Sequence, residues 1–319
     1  MEVAPDGSMM LVARRSFNDS DDVTLELWTT RPLRRVRALA LPGESLKFGA
    51  AAFSPGGRYL AIGLSSGTVT LWNARSGQFL RRINARPLRR DPQTQMEEYR
   101  GGPLAFGRDG RTIAACSTDD ERGNEPACAL WNVSGRLKRR FALPKYSFGV
   151  AVVALSPDGK TLVAGASNGT PLYFWNARSG KLKGTLNPDV QDGESNALAF
   201  SPDGRLLACG SRWSVSASSR AELHVWKWPS RKLLWKKTGA HRLFDTTSVY
   251  DSLMFSRDGK ILACGDNNAT VELRNARTGK LLRTLRGRPN RLDKPLLLPS
   301  PDGFAPWALH YTSPARSNS

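Results

Sequence analysis

Between residues 53 and 83 the apolar positions come in short bursts separated by turn residues, with no helical period running through them. Ser54-Pro55-Gly56-Gly57 is turn chemistry: proline presets φ, and the last glycine accepts the left-handed conformation that closes a hairpin. Tyr59 to Leu64 is a continuous apolar and small run, the length of a strand buried on both faces. Ser66-Gly67 marks a second turn, and Val69 to Trp72 is β-branched and aromatic, as a strand prefers. Ser76-Gly77 turns the chain again, and Gln78 to Ile83 completes the pattern. The stretch predicts an antiparallel meander of four strands.

The same pattern recurs. Its turn returns as Pro5-Asp6-Gly7, Arg108-Asp109-Gly110, Pro157-Asp158-Gly159, Pro202-Asp203-Gly204, Arg257-Asp258-Gly259 and Pro301-Asp302-Gly303. The aromatic strand end returns as Trp28, Trp72, Trp131, Trp175 and Trp226, structural tryptophans of their units, with Arg274 in that place in the sixth copy. A repeat of this length with four strands per copy predicts an all-β propeller of four-stranded antiparallel blades. Blade boundaries are expected near 1–42, 43–98, 99–145, 146–190, 191–245 and 246–290, with a partial seventh blade at 291–312 and a flexible tail at 313–319. The 319 residues then form a single domain, since each blade contacts only its neighbours.

Ser-Pro-Asp-Gly, an apolar run, and then Gly67-Thr-Val-Thr-Leu-Trp72-Asn-Ala-Arg-Ser-Gly77 resembles the WD-repeat β-propeller family over nearly the whole chain. The family's Asp after Trp is replaced by Asn73, Asn132, Asn176 and Lys227, and its Gly-His pair is approached only at Gly239-Ala240-His241. Blade stacking is therefore expected to rest mainly on apolar burial. Propellers of the periplasmic and lactonase type share the Pro-Asp-Gly turn but not the Trp-bearing strand. The resemblance implies a non-enzymatic scaffold for protein–protein interaction.

Candidate chemistry changes this little. Gly63-Leu64-Ser65-Ser66-Gly67 has the spacing of a nucleophile elbow, but it spans a hairpin rather than a strand-to-helix turn. The cysteines at 116, 128, 209 and 264 show no Cys-x-x-Cys, and His224, His241 and His310 are scattered, so neither a metal site nor a cofactor is expected. All four cysteines read as reduced, buried core thiols. The first 20 residues lack a basic start followed by an apolar stretch, and no 18-residue apolar run exists. Neither a secretion signal nor a membrane span is expected, and the cytoplasm is the expected compartment.

The charge adds a second class of partner. Lys plus Arg is 47 against 28 Asp plus Glu, a formal net charge of +19. Such a field attracts polyanions, so nucleic-acid binding through a basic rim is the alternative to a protein partner. The basic runs Arg34, Arg35 and Arg37, Arg81 and Arg82, and Lys138, Arg139 and Arg140 all follow the Trp strand. They fall on the predicted outermost strand, where Lys and Arg also block edge-to-edge pairing. In an up-down meander the tight turns lie on one face, and the long loops at 84–98, 118–126, 212–220 and 238–246 lie on the other. Arg86, Arg89, Arg90, Trp213, His241 and Phe244 are the expected partner-binding residues there.

Overall fold

A computed structural model describes residues 2–15, 23–40, 48–64, 68–84, 102–116, 127–142, 150–166, 171–186, 193–215, 218–240, 250–266 and 270–286. These form six four-stranded sheets in a ring, a six-bladed β-propeller. Blade 1 holds β1 (Glu2–Val3), β2 (Met9–Arg15), β3 (Val23–Thr30) and β4 (Leu33–Leu39); blade 2 holds β5 (Phe48–Phe53), β6 (Tyr59–Leu64), β7 (Thr68–Asn73) and β8 (Phe79–Asn84). Blade 3 holds β9 (Leu104–Phe106), β10 (Thr112–Cys116), β11 (Ala127–Asn132) and β12 (Leu137–Ala142); blade 4 holds β13 (Val150–Leu155), β14 (Thr161–Ala166), β15 (Leu172–Asn176) and β16 (Leu182–Leu186). Blade 5 holds β17 (Gly193–Phe200), β18 (Leu206–Val215), β19 (Ser218–Lys227) and β20 (Lys232–Ala240); blade 6 holds β21 (Tyr250–Phe255), β22 (Ile261–Asp266), β23 (Thr270–Asn275) and β24 (Leu281–Arg286). In every blade the spatial order follows the sequence, and each neighbouring pair is antiparallel, as between β6 and β7.

Local chemistry explains the repeat. In the Ser-Pro-Asp-Gly turn of blade 4 the Ser156 hydroxyl donates to Asp158 at 2.6 Å and accepts the Thr161 amide at 2.9 Å. Gly159 closes that turn at φ 69°, a left-handed value that side chains disfavour. After the tryptophan strand, the Asn176 carboxamide oxygen accepts the amides of Arg178 and Ser179. Asn73 and Asn275 make the same turn, so asparagine serves where the family has aspartate. The outer strand of each blade carries one bulge opposite the tryptophan or its replacement, as where Leu71 pairs Arg81 but Trp72 pairs Phe79.

The core lies between blades, not within one. Trp72 packs with Leu11, Leu25 and Leu27 of blade 1, and Trp131 with Val69, Leu71 and Ile83 of blade 2. Trp175 packs with Leu130 and Phe141 of blade 3, and Trp226 with Val163, Leu172 and Phe174 of blade 4. All four are buried and Trp28 is half-buried. The expectation of apolar stacking holds here with one addition. Because side chains two apart share a strand face, the residue two before the tryptophan can serve its indole. Trp72 Nε1 donates to the Thr70 hydroxyl at 2.9 Å, and Trp28 Nε1 to Glu26 at 3.2 Å. His224 instead stacks on Trp226, ring centroids 5.3 Å apart. In blade 6, Arg274 fills the slot, held by Glu272 at 2.9 Å, and Glu272 also pairs with Lys237 of blade 5 at 2.8 Å.

Two expectations meet the structure differently, and a third lies beyond it. Cys116 and Cys128 are not reduced thiols but a disulfide. The β10–β11 register sets them directly opposite each other, which their separation in sequence conceals. Cys209 and Cys264 are free and buried as expected, and burial pushes the Cys209 thiol up to about 12. Residues 212–220 are not an irregular loop: β18 and β19 extend as a hairpin to Val215 and Ser218. The partial seventh blade expected at 291–312 lies outside the described residues, so six blades are what the structure shows.

Candidate functional site: a basic seam between blades 3 and 4

The connections between first and second strands have one length throughout, at 4–8, 54–58, 107–111, 156–160, 201–205 and 256–260. With the turns between third and fourth strands they form the tight-turn face. On that face the seam between blades 3 and 4 opens as a cleft of about 670 Å³.

One substitution, and two positions that keep the residues common to the repeat, set it apart from the next seam. Most blades end the first strand in phenylalanine (Phe53, Phe106, Phe200, Phe255), but blade 4 has Leu155. Blade 5 places Trp228 two residues after its strand tryptophan, where blade 4 has Ala177. Blade 4 turns Phe174 toward blade 5, while blade 3 turns only Leu130 toward blade 4. The turn serine becomes Gly107 in blade 3, and a Cβ there would meet Leu155 Cδ2 at 2.9 Å. Leu155 therefore occupies the space that a serine side chain would need.

Losing that serine reassigns its aspartate. Asp109 accepts the amides of Arg111 and Thr112 at 2.9 Å and the Thr112 hydroxyl at 2.7 Å, bonds that a serine hydroxyl shares elsewhere. Burial opposes its charge, but the Thr112 and Arg111 hydrogen bonds and nearby Lys138 outweigh this and hold the carboxyl below its ordinary range. Asp158 across the seam is also lowered, with burial outweighed by Ser156, the Lys160 amide and the Lys160 charge. Both carboxylates are thus ionised and engaged by their own turns.

Around them stand five cations, Arg108, Arg136, Lys138, Arg139 and Arg178. Three are held by neutral groups. Arg108 Nη1 donates to the Pro202 carbonyl of blade 5 at 2.6 Å, and Lys138 Nζ to the Thr112 hydroxyl at 2.5 Å. The stem of Arg139 lies against Gly180 of blade 4. None of the five forms an ion pair within 4.0 Å among the described residues, so the cleft keeps a positive excess. Among the described residues, no aromatic ring lines it.

The expected binding residues are placed only in part. Trp213 lies in the extended hairpin of blade 5, its backbone paired with Gly193 of β17 and Arg220 of β19. Arg86, Arg89, Arg90, His241 and Phe244 lie outside the described residues. Of the seam's cations only Lys138 and Arg139 belong to the basic runs read from the sequence. The signal that could have found the rest was the register of the repeats, in which Leu155 and Gly107 stand where other blades carry Phe and Ser. No helix among the described residues is long and apolar enough to cross a membrane.

A family model described as "WD domain, G-beta repeat" matches residues 40–73 and 180–216. WD repeat-containing protein 82 of Drosophila melanogaster is 27% identical over 194 residues, 60% of this chain and 56% of that protein. Small ribosomal subunit protein RACK1y of Oryza sativa subsp. japonica is 26% identical over 145 residues, 45% of this chain and 39% of that one. Periodic tryptophan protein 2 homolog of Schizosaccharomyces pombe is 25% identical over 136 residues, 43% of this chain and 14% of that one. The chain thus spans between 14% and 56% of the length of these curated relatives. Six four-stranded blades, a tryptophan closing the third strand in five of them, and these matches together make the chain similar to WD-repeat proteins.

Proposed function

We propose that the chain is a non-enzymatic scaffold that holds protein partners through the face bearing its long connections. The observation that carries this is the segregation of lengths. Turns on one face are short and uniform, while the gaps between described strands on the other run from residues 216–217 to residues 85–103. Variable connections on a rigid frame are where binding residues concentrate. Arg86, Arg89, Arg90, Trp213, His241 and Phe244 all belong to the sequence at that end. WD-repeat relatives support a scaffold in general, and the choice of face is our reading.

A native pull-down with and without nuclease tests it. Nuclease-resistant partners that are lost when residues 212–220 are trimmed to Ser-Gly support the reading, provided the circular dichroism of the ring is retained. Partners that survive that trim and a matching cut in 84–98, yet are lost on mutating the tight-turn face, contradict the choice of face.

One observation favours a second reading, polyanion binding through the rim. The outermost strands expose Arg34, Arg35, Arg81, Arg82, Arg140 and Arg283. Affinity that falls linearly in log salt with a steep slope, and disappears with nuclease, would support it over the scaffold.

A further inference from the structure

We infer that the seam between blades 3 and 4 is a second docking site, on the tight-turn face, for an acidic segment of a partner protein whose carboxylates alternate with aliphatic side chains. The inference rests on the scaffold reading and adds a site and a ligand chemistry to it. Three features fit that occupant together. The floor is aliphatic, built from Leu130, Leu155 and Ala177, and Leu137 stands 37% exposed beside it. The walls carry five cations against two carboxylates, and none of the five forms an ion pair within 4.0 Å among the described residues. The cleft, about 670 Å³, is large enough for a few side chains of an extended peptide rather than a single ion.

A nucleic-acid strand fits less well. Single-strand sites stack bases on aromatic rings, and among the described residues no ring lines this cleft. Asp109 and Asp158 also line the cleft and add two negative charges that disfavour a continuous phosphate backbone. A peptide with spaced charges can set its carboxylates against Arg136, Lys138 and Arg178 and its apolar side chains against the leucines. Arg108, Lys138 and Arg139 are already held by neutral contacts, so less side-chain freedom is lost on binding than at an open arginine patch. Arg136 and Arg178 make no side-chain hydrogen bond among the described residues and remain available at the mouth.

The test uses the full chain and a fluorescent ten-residue peptide of alternating Glu and Leu, compared with its Gln/Leu twin and with single-stranded oligo-dT. Anisotropy titrations are run on the wild type, on Arg136→Gln/Arg178→Gln, and on Arg75→Gln/Arg277→Gln. The last pair removes the same charge from equivalent turns of blades 2 and 6 and leaves the seam intact. The expected result is binding of the Glu/Leu peptide over the Gln/Leu twin. It should weaken at least tenfold in Arg136→Gln/Arg178→Gln and less than twofold in Arg75→Gln/Arg277→Gln. Equal weakening by both pairs would show a diffuse field and overturn the site. So would no peptide binding to the wild type, or tighter binding of oligo-dT lost with the same seam pair. Partners captured in the pull-down that ignore the seam variants would remove this site while leaving the scaffold reading standing.

Discussion

The seams on either side of blade 4 are built from one pattern and finish differently. Between blades 4 and 5 three rings fill the tight-turn end. Trp228 meets Phe174 edge-on with centroids 5.7 Å apart and Phe200 at 5.4 Å. The Arg231 guanidinium then caps Phe174 at 4.8 Å. Between blades 3 and 4 the matching positions are Ala177, Leu130 and Leu155, and the seam stays open. Where rings are present, arginine stacks on them; where they are absent, arginine and lysine line a cleft. A repeat architecture lets one seam change in this way because each blade meets only its two neighbours. The backbone of the seam is maintained by the turn hydrogen bonds and the glycine conformations, which all blades share.

The comparison can be broken most severely in the core that both seams share. Trp175 is 1% exposed and sits edge-on to Phe141 of blade 3 at 5.9 Å. Trp175→Ala should cost about 3–5 kcal/mol in urea unfolding, the range for deleting a buried aromatic. A loss under about 1 kcal/mol would mean that the open seam has no packed core beneath it.

Unsealing the closed seam should cost somewhat less. Trp228→Ala removes the ring that two phenylalanines share, and about 3 kcal/mol is expected because its edge already meets solvent. An unchanged midpoint would show that rings are not what distinguishes the two seams.

Gly107→Ala probes the leucine that leans into the open seam. The added methyl meets Leu155 Cδ2 at 2.9 Å, so a loss of about 1–2 kcal/mol is expected from overpacking. Most of this should disappear when the same change is made in a Leu155→Ala background, as a double-mutant cycle would read.

The smallest effect concerns Asp109, which replaces the missing serine hydroxyl. Its carboxyl is lowered from 3.8, so the stability it contributes is present above that value and is lost as pH falls through its folded pKa. Asp109→Asn should therefore cost about 1 kcal/mol at pH 7, a figure discounted for partial solvation. The gap between mutant and wild type should close on acidification below about pH 4. A gap independent of pH would mean that the carboxylate's charge is not what stabilises the turn.

Much of this was legible in the chain. The turn residues, the β-branched strands and the recurring tryptophans specify the blades, because turn chemistry and strand pattern are local and repeat in phase. The tryptophans' partners were less legible, since Thr70, Glu26 and His224 act through a same-face spacing within their own strand. The Cys116–Cys128 pairing depends on hairpin register, which the loop between them hides. The seam was hidden for a different reason. Leu155, Gly107 and Ala177 are ordinary residues that carry no chemistry of their own, and their meaning appears only when two blades face each other. Leu155 and Gly107 do depart from the repeat, whereas Ala177, which matches Ala74 and Ala276, stands out only beside Trp228 of the next blade.

The most direct test is to seal the open seam with the residue that seals its neighbour. Ala177→Trp adds a ring and removes no charge, so it separates the cleft from the field around it. Anisotropy of the Glu/Leu peptide should show binding reduced at least tenfold, with the circular dichroism and thermal midpoint of the ring retained. Leu155→Phe serves as the second variant if Ala177→Trp does not fold. A folded, sealed protein that binds the peptide as tightly as the wild type would contradict the account.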